Sequence, residues 1–166
     1  MKTAFLSLLL AAVPLAALAD SPDASFYKNA AEGGISEVDA GNLATTKGNS
    51  QAVKDFGAMM VKDHTAANDK LKALATTKGV DLPTSASVSQ MATKAKLDVL
   101  SGDTFDKSYI KSQVKAHRET IALFRKEIAS GQDADAKTFA TSTLPTVRDH
   151  LKAITKIAAD AGMSTK

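Results

Sequence analysis

The sequence predicts an all-α protein, a four-helix bundle with a short extra helix in the crossover between two helical hairpins. Three observations predict it. Apolar residues recur at alternating steps of three and four along four long segments, the spacing that keeps side chains on one helix face. The β-branched alternation that makes strands is missing throughout. Gly, Pro, Ser and Asp punctuate the chain into two short connections and one longer one, as two hairpins joined by a crossover require.

Helix one opens at Ser21-Pro22, a cap residue followed by a proline in the first turn, where its missing N–H is not needed. Its seam is Phe26, Ala30, Gly33, Glu37, Ala40 and Ala44, and it stops near Lys47-Gly48. Helix two starts at Asn49-Ser50, carries Val53, Gly57, Met60, His64, Ala67, Leu71 and Leu74 with Phe56 beside them, and ends near Gly79. Val80 to Ala86 is the main loop, and a short helix covers about Val88 to Leu100. Helix three runs from Asp103 or Thr104 to Ser130, with the seam Ile110, Val114, His117, Ile121, Phe124 and Ile128 and with Gly131 as its stop. Helix four runs from about Asp133 to Ala161 on the seam Phe139, Thr143, Val147, His150, Ile154 and Ile157, and Pro145 should kink it. Ferritin-like connectivity is one arrangement with this order of elements.

Each long helix therefore places an ionisable residue where packing asks for Leu or Ile: Glu37, His64, His117 and His150, the last three being all the histidines of the chain. Burying an unpaired charge or imidazole is costly, so four such positions point to residues that meet one another. Glu37 and His64 lie on either side of the turn near Gly48, and His117 and His150 on either side of the turn near Gly131, at comparable depths. A single mid-bundle cluster follows. Three imidazoles and one carboxylate suit one Zn²⁺, Fe²⁺, Mn²⁺ or Cu²⁺ ion. Asp63 and Asp149, each next to a histidine in sequence, point about 100° away on their helices and are candidates for supporting acceptors; Gln113, one turn before His117, is a candidate for completing hydrogen bonds inside the bundle. The competing reading is a metal-free polar network that fixes helix register.

A weak internal repeat relates the hairpins. Val61-Lys62-Asp63-His64 in helix two is matched by Val147-Arg148-Asp149-His150 in helix four, which pairs the two histidines, and Glu37 falls opposite His117.

Composition excludes other chemistries. Met1-Lys2-Thr3-Ala4 followed by the apolar run Phe5 to Ala19 reads as a secretory signal peptide, residues 1–19, cut before Asp20, leaving one domain over 20–166. No later segment is apolar enough to cross a bilayer. With no cysteine there is no disulfide, thiolate site or c-type haem attachment. Lysines scattered over the helices, a net charge of only +3 and the lack of Trp give nucleic acid no footing. Met59 and Met60 are ordinary core filler, and neither a nucleophile elbow nor a phosphate loop occurs; Gly33-Gly34 lies inside a helical pattern and allows close packing.

Several elements together resemble the bacterial envelope family known as domain of unknown function 4142: Ala31-Glu32-Gly33-Gly34-Ile35-Ser36-Glu37 with Gly41, Val53-Lys54-x-Phe56 with Met60-Val61-Lys62-Asp63-His64, Phe105-Asp106-x-x-Tyr109 with Gln113-Val114-x-x-His117, and Leu144-Pro145-x-x-x-x-His150-Leu151. The resemblance runs from about Ser25 to Ala158. It implies a ferritin-like bundle and export, most simply to the periplasm, and implies no reaction. Ferritin-like di-iron proteins are a more distant likeness, from which the chain departs: Val61 and Val147 stand where the Glu of Glu-x-x-His belongs. The expectation is thus an exported helical bundle holding at most one transition-metal ion, with no catalysis assigned. The alternative is a metal-free structural or stress-related envelope protein acting through its surface. The protein partner and the oligomeric state are not encoded in any motif, and a metal-dependent oxidoreductase would require redox turnover that no residue here demands.

Overall fold

A computed structural model describes residues 22–164, so the signal-like stretch 1–19 lies outside the described residues. The helices are α1 (Pro22–Lys47), α2 (Gln51–Lys78), α3 (Val88–Asp98), α4 (Gly102–Ser130) and α5 (Ala134–Asp160), and no strand occurs among the described residues. The bounds follow from local chemistry. Ser50 caps α2 by accepting the Val53 N–H, and Ser87 and Gln90 form a reciprocal capping box on α3. Asp133 caps α5 through the N–H groups of Asp135 and Ala136. Gly79 ends α2 at φ 66°, a left-handed conformation that glycine adopts without strain.

Two antiparallel hairpins, α1–α2 and α4–α5, pack with α1 on α4 and α2 on α5. Because α2 ends at the opposite end of the bundle from the α1–α2 turn, the crossover must climb back before α4 can begin. It does so through α3, which lies in the groove of α1 and α4 and ends where Lys47 meets Asp98. The four long helices thus run up, down, down, up, with every packed neighbour antiparallel. Within the first hairpin the approach is closest at two glycines: a Cβ on Gly41 would fall 2.7 Å from the Gly57 carbonyl oxygen, and one on Gly57 2.7 Å from the Ala44 Cβ.

Pro145 does not interrupt α5, which is helical from Ala134 to Asp160. Both Pro145 and Thr141, whose carbonyl loses its intrahelical donor, face solvent, where water can replace that bond. Gly131 stops α4 as expected, and does so without a left-handed turn. Its φ is −60°, and its lack of a side chain makes room for the Glu127 carboxyl, which would lie 2.2 Å from a Cβ there.

The core is split into two apolar layers. Phe26, Phe124 and Phe139 form an edge-to-face cluster with Tyr27 in one half. Val53, Phe56, Met60, Phe105, Tyr109, Ile110 and Ile154 fill the other. Between them lies a buried polar layer.

Candidate metal centre

The seam positions deliver all three imidazoles to that layer, one from each of α2, α4 and α5. His64, His117 and His150 are buried, and their ring centroids are 5.4–5.8 Å apart. One nitrogen from each ring lies within 4.8 Å of the other two. Phe56 packs edge-on against His117 and His150 and closes the layer on one side.

Hydrogen bonding fixes the tautomer of two of the rings. His117 Nδ1 lies 2.9 Å from the Gln113 carbonyl oxygen one turn earlier, so this nitrogen carries the proton and donates, and Nε2 keeps its lone pair. His150 Nε2 lies 3.0 Å from Asp63 Oδ2 and donates to it, leaving Nδ1 as the free lone pair. His117 Nε2, His150 Nδ1 and His64 Nε2 have no hydrogen-bond partner and no exposure to solvent. Two lone pairs and the unpartnered His64 Nε2 thus lie together in the buried layer. Burial pushes the His64 imidazole down to about 3, and the neighbouring imidazoles add to the shift. Burial lowers His150 too, against the opposing pull of Asp63. In their neutral form such rings are metal ligands.

Zinc–nitrogen bonds of ~2.0–2.1 Å would set tetrahedral neighbours about 3.3 Å apart. Closing three rings onto one ion therefore asks for side-chain movements on the order of 1 Å. The Asp63–His150 and Gln113–His117 bonds are the outer supports that hold a ligating imidazole in the right tautomer.

Glu37 does not join the three nitrogens. Its carboxylate lies behind His117, 3.8 Å from the protonated Nδ1, with the Gln113 side chain beside it. Burial raises its affinity for a proton, while His117 and Gln113 oppose that shift. Tyr109 lies close enough for the Glu37 charge to act on its hydroxyl, which burial already holds well above the ordinary range. Relative to the expected set of four ligands, the geometry keeps three histidines together and moves Glu37 to the supporting position. Asp63 takes the expected supporting position, but for His150 across the helix pair and not for its neighbour His64. Gln113 supports His117 twice, through its carbonyl and through Glu37. Asp149 faces solvent and acts on His150 only through space.

The internal repeat is real at the hairpin ends and absent at the centre. Asp106 on α4 accepts the backbone N–H groups of Asn49 and Ser50, each at 2.8 Å, and Asp23 on α1 accepts that of Gln132 at 2.9 Å. Asp23 and Asp106, Gly48 and Gly131, Asn49 and Gln132, and Ser50 and Asp133 are all separated by one and the same interval. At that interval His64 corresponds to Val147, not His150, and Glu37 to Thr120, not His117. The halves share their fastenings, and the histidine layer breaks the symmetry. A lone carboxylate at a helix start is ordinary in sequence, and the signal for the role of Asp106 is its position, one turn inside a helix and facing the other hairpin's turn.

Comparisons with known proteins agree with this fold. No curated protein matches the chain. A DUF305 fragment from Deinococcus radiodurans superposes with a TM-score of 0.73 at 10% identity, covering 83% of this chain and 95% of that one. A DUF305 protein from Streptomyces coelicolor superposes at 0.75 and 13% identity, covering 89% and 98%. At such identities the likeness is one of fold. The family model described as Domain of unknown function (DUF4142) matches residues 10–157, nearly the whole of the chain and all three histidine positions, and the protein belongs to that family.

Proposed function

We propose that this is an exported helical-bundle protein that binds one transition-metal ion between α2, α4 and α5, through His64, His117 and His150. The observation that carries the reading is the convergence of three buried, unpartnered imidazole nitrogens, two of them on rings whose other nitrogen is already engaged. A network built only for structure would turn donors toward acceptors. Here lone pair faces lone pair, an arrangement that a cation resolves. An all-nitrogen set favours Zn²⁺, Cu²⁺ or Fe²⁺ over Mn²⁺, which prefers carboxylates. Three protein ligands also leave a coordination position for water or another small ligand.

Export rests on the signal-like segment 1–19, with residues 20–166 forming the single mature domain, and the periplasm is the compartment we assign. No helix among the described residues is long and apolar enough to cross a membrane. The Streptomyces coelicolor neighbour is named as a candidate secreted protein, which accords with export.

The test is the metal content of protein purified from the periplasm without an affinity tag or chelator, beside a His64→Ala/His117→Ala double variant. Near-stoichiometric metal in the first and none in the folded second is the expected result. No metal in the native protein, even after incubation with Zn²⁺, Fe²⁺, Mn²⁺ and Cu²⁺, would reduce the layer to a polar core and move the search for function to the surface.

A further inference from the structure

A small cavity of about 30 Å³ adjoins the histidine layer, and its walls come from all four long helices. Most of its lining is apolar, including Leu71, Phe124, Phe139 and Val147. Of the three histidines only His64 reaches it. His64 is also the least buried of the three, at 8% exposure against 1% and 2% for His117 and His150. The space holds one or two water-sized particles, enough for an ion that has shed most of its hydration shell.

Asn68 stands one helical turn beyond His64, half-buried, and lines the same cavity. Its amide rests on α1 at Gly34, where a Cβ would lie 1.8 Å from the Asn68 Oδ1. Glycine in the middle of a helix costs about 1 kcal/mol relative to alanine, so its presence calls for a local reason. Here the reason is visible: only a residue without a side chain lets the Asn68 amide lie across the gap between α1 and α2. The groove on the other side of the layer offers no comparable route. It extends over about 450 Å³ between α1, α3 and α4, and at its floor stand Glu37 and Gln113, behind the protonated face of His117.

We infer that the cavity beside His64 is the doorway through which the metal ion reaches the three imidazoles, with the Asn68 amide lying on Gly34 as its latch. The inference rests on the metal-binding reading above. His64 receives the ion first, because its unpartnered nitrogen belongs to the one ring that reaches the cavity, and His117 and His150 then close on it. A latch governs rates and leaves the equilibrium alone, since it contributes no ligand to the final site.

The measurement is stopped-flow binding and release of Co²⁺, followed by its ligand-field absorption, together with the equilibrium Kd. The proteins are the wild type, Asn68→Ala and Ala67→Leu, each checked for helical content by circular dichroism. Removing the amide should speed association and release together by about tenfold, with Kd within about twofold. Filling the passage from Ala67, which also lines it, should slow both. Wild-type rates in both folded variants would overturn the doorway and leave the metal site standing, as would an altered Kd carried by only one of the two rates. Failure of the wild type to bind Co²⁺, Zn²⁺, Fe²⁺, Mn²⁺ or Cu²⁺ would overturn the metal reading and the doorway with it.

Discussion

Two of the places where the bundle buries titratable groups make a contrast: the histidine layer at mid-height and a carboxylate cluster at the end where α1 begins and α4 turns into α5. In the cluster, Asp23 accepts the Gln132 N–H, and Glu127 shares a hydrogen bond with Asp23. Asp133 collects the Tyr27 hydroxyl at 2.9 Å, the Lys78 ammonium at 3.0 Å and two backbone N–H groups. Donors are matched to acceptors, and only Glu127 Oε1 lacks a partner there. In the histidine layer three buried ring nitrogens have no hydrogen-bond partner. Burial of charge-bearing groups is common to both regions, so burial by itself does not mark a site. The difference is whether the groups satisfy each other: the cluster fastens a turn, and the layer leaves three ring nitrogens unpaired.

The largest effect expected from this contrast is on thermal stability. Saturating Zn²⁺ at ~1,000 times its Kd adds about 4 kcal/mol to a protein that binds it only when folded. For a domain of this size that raises Tm by roughly 10 °C. The His64→Ala/His117→Ala variant should show no such rise, and Glu127→Gln should keep it in full. A metal-induced shift that survives loss of both histidines would place the ion elsewhere.

A smaller effect separates the two ends of the bundle. Asp106 holds two backbone N–H groups of the α1–α2 turn in a buried setting, so Asp106→Ala should cost about 2 kcal/mol in urea unfolding. Asp23→Ala removes one such bond and also relieves the proton-sharing partner Glu127, and should cost less. Equal losses would mean that Asp23 stabilises its end of the bundle through more than this one backbone bond.

The gentlest discriminator is pH, because the two regions have opposite signs. Folding holds His64 down to about 3, so the unfolded chain takes up a proton first as pH falls through 6.5, and metal-free stability drops from there towards pH 3; His150 adds in the same sense. Glu127 is pushed up to about 7, first by burial and then by Asp23, so its contribution is present below pH 4.5 and is lost as pH rises through 7. His64→Gln should flatten the acid side of a plot of urea midpoint against pH, and Glu127→Gln the neutral side. Midpoints that respond identically to both substitutions would contradict the assignment.

Much of this was readable from spacing alone. A 3.6-residue period fixes which face of a helix is buried whatever the helix packs against, so the seams placed Glu37 and the three histidines inside without any knowledge of neighbours. Caps and glycines set the element bounds, because they act through backbone bonds within a few residues. The family resemblance was readable too, since the motifs that carry it are short runs that include all four inward polar residues. What sequence did not contain was azimuth across helices. Glu37 and His64 are equally inward on their seams, yet one faces the protonated nitrogen of His117 and the other its lone pair.

Local periodicity, composition and capping thus determined by themselves an all-α bundle of two hairpins, its crossover and the four inward polar residues. The tertiary structure alone decided that three of those four form one nitrogen-lined centre, that Asp63 serves a histidine 87 positions away, and that Asp23 and Asp106 each fasten the opposite hairpin. The physical reason is range. Helix periodicity is written by neighbours three and four residues apart, whereas ligand geometry depends on the rotation and height of separate helices, which only the packed core sets.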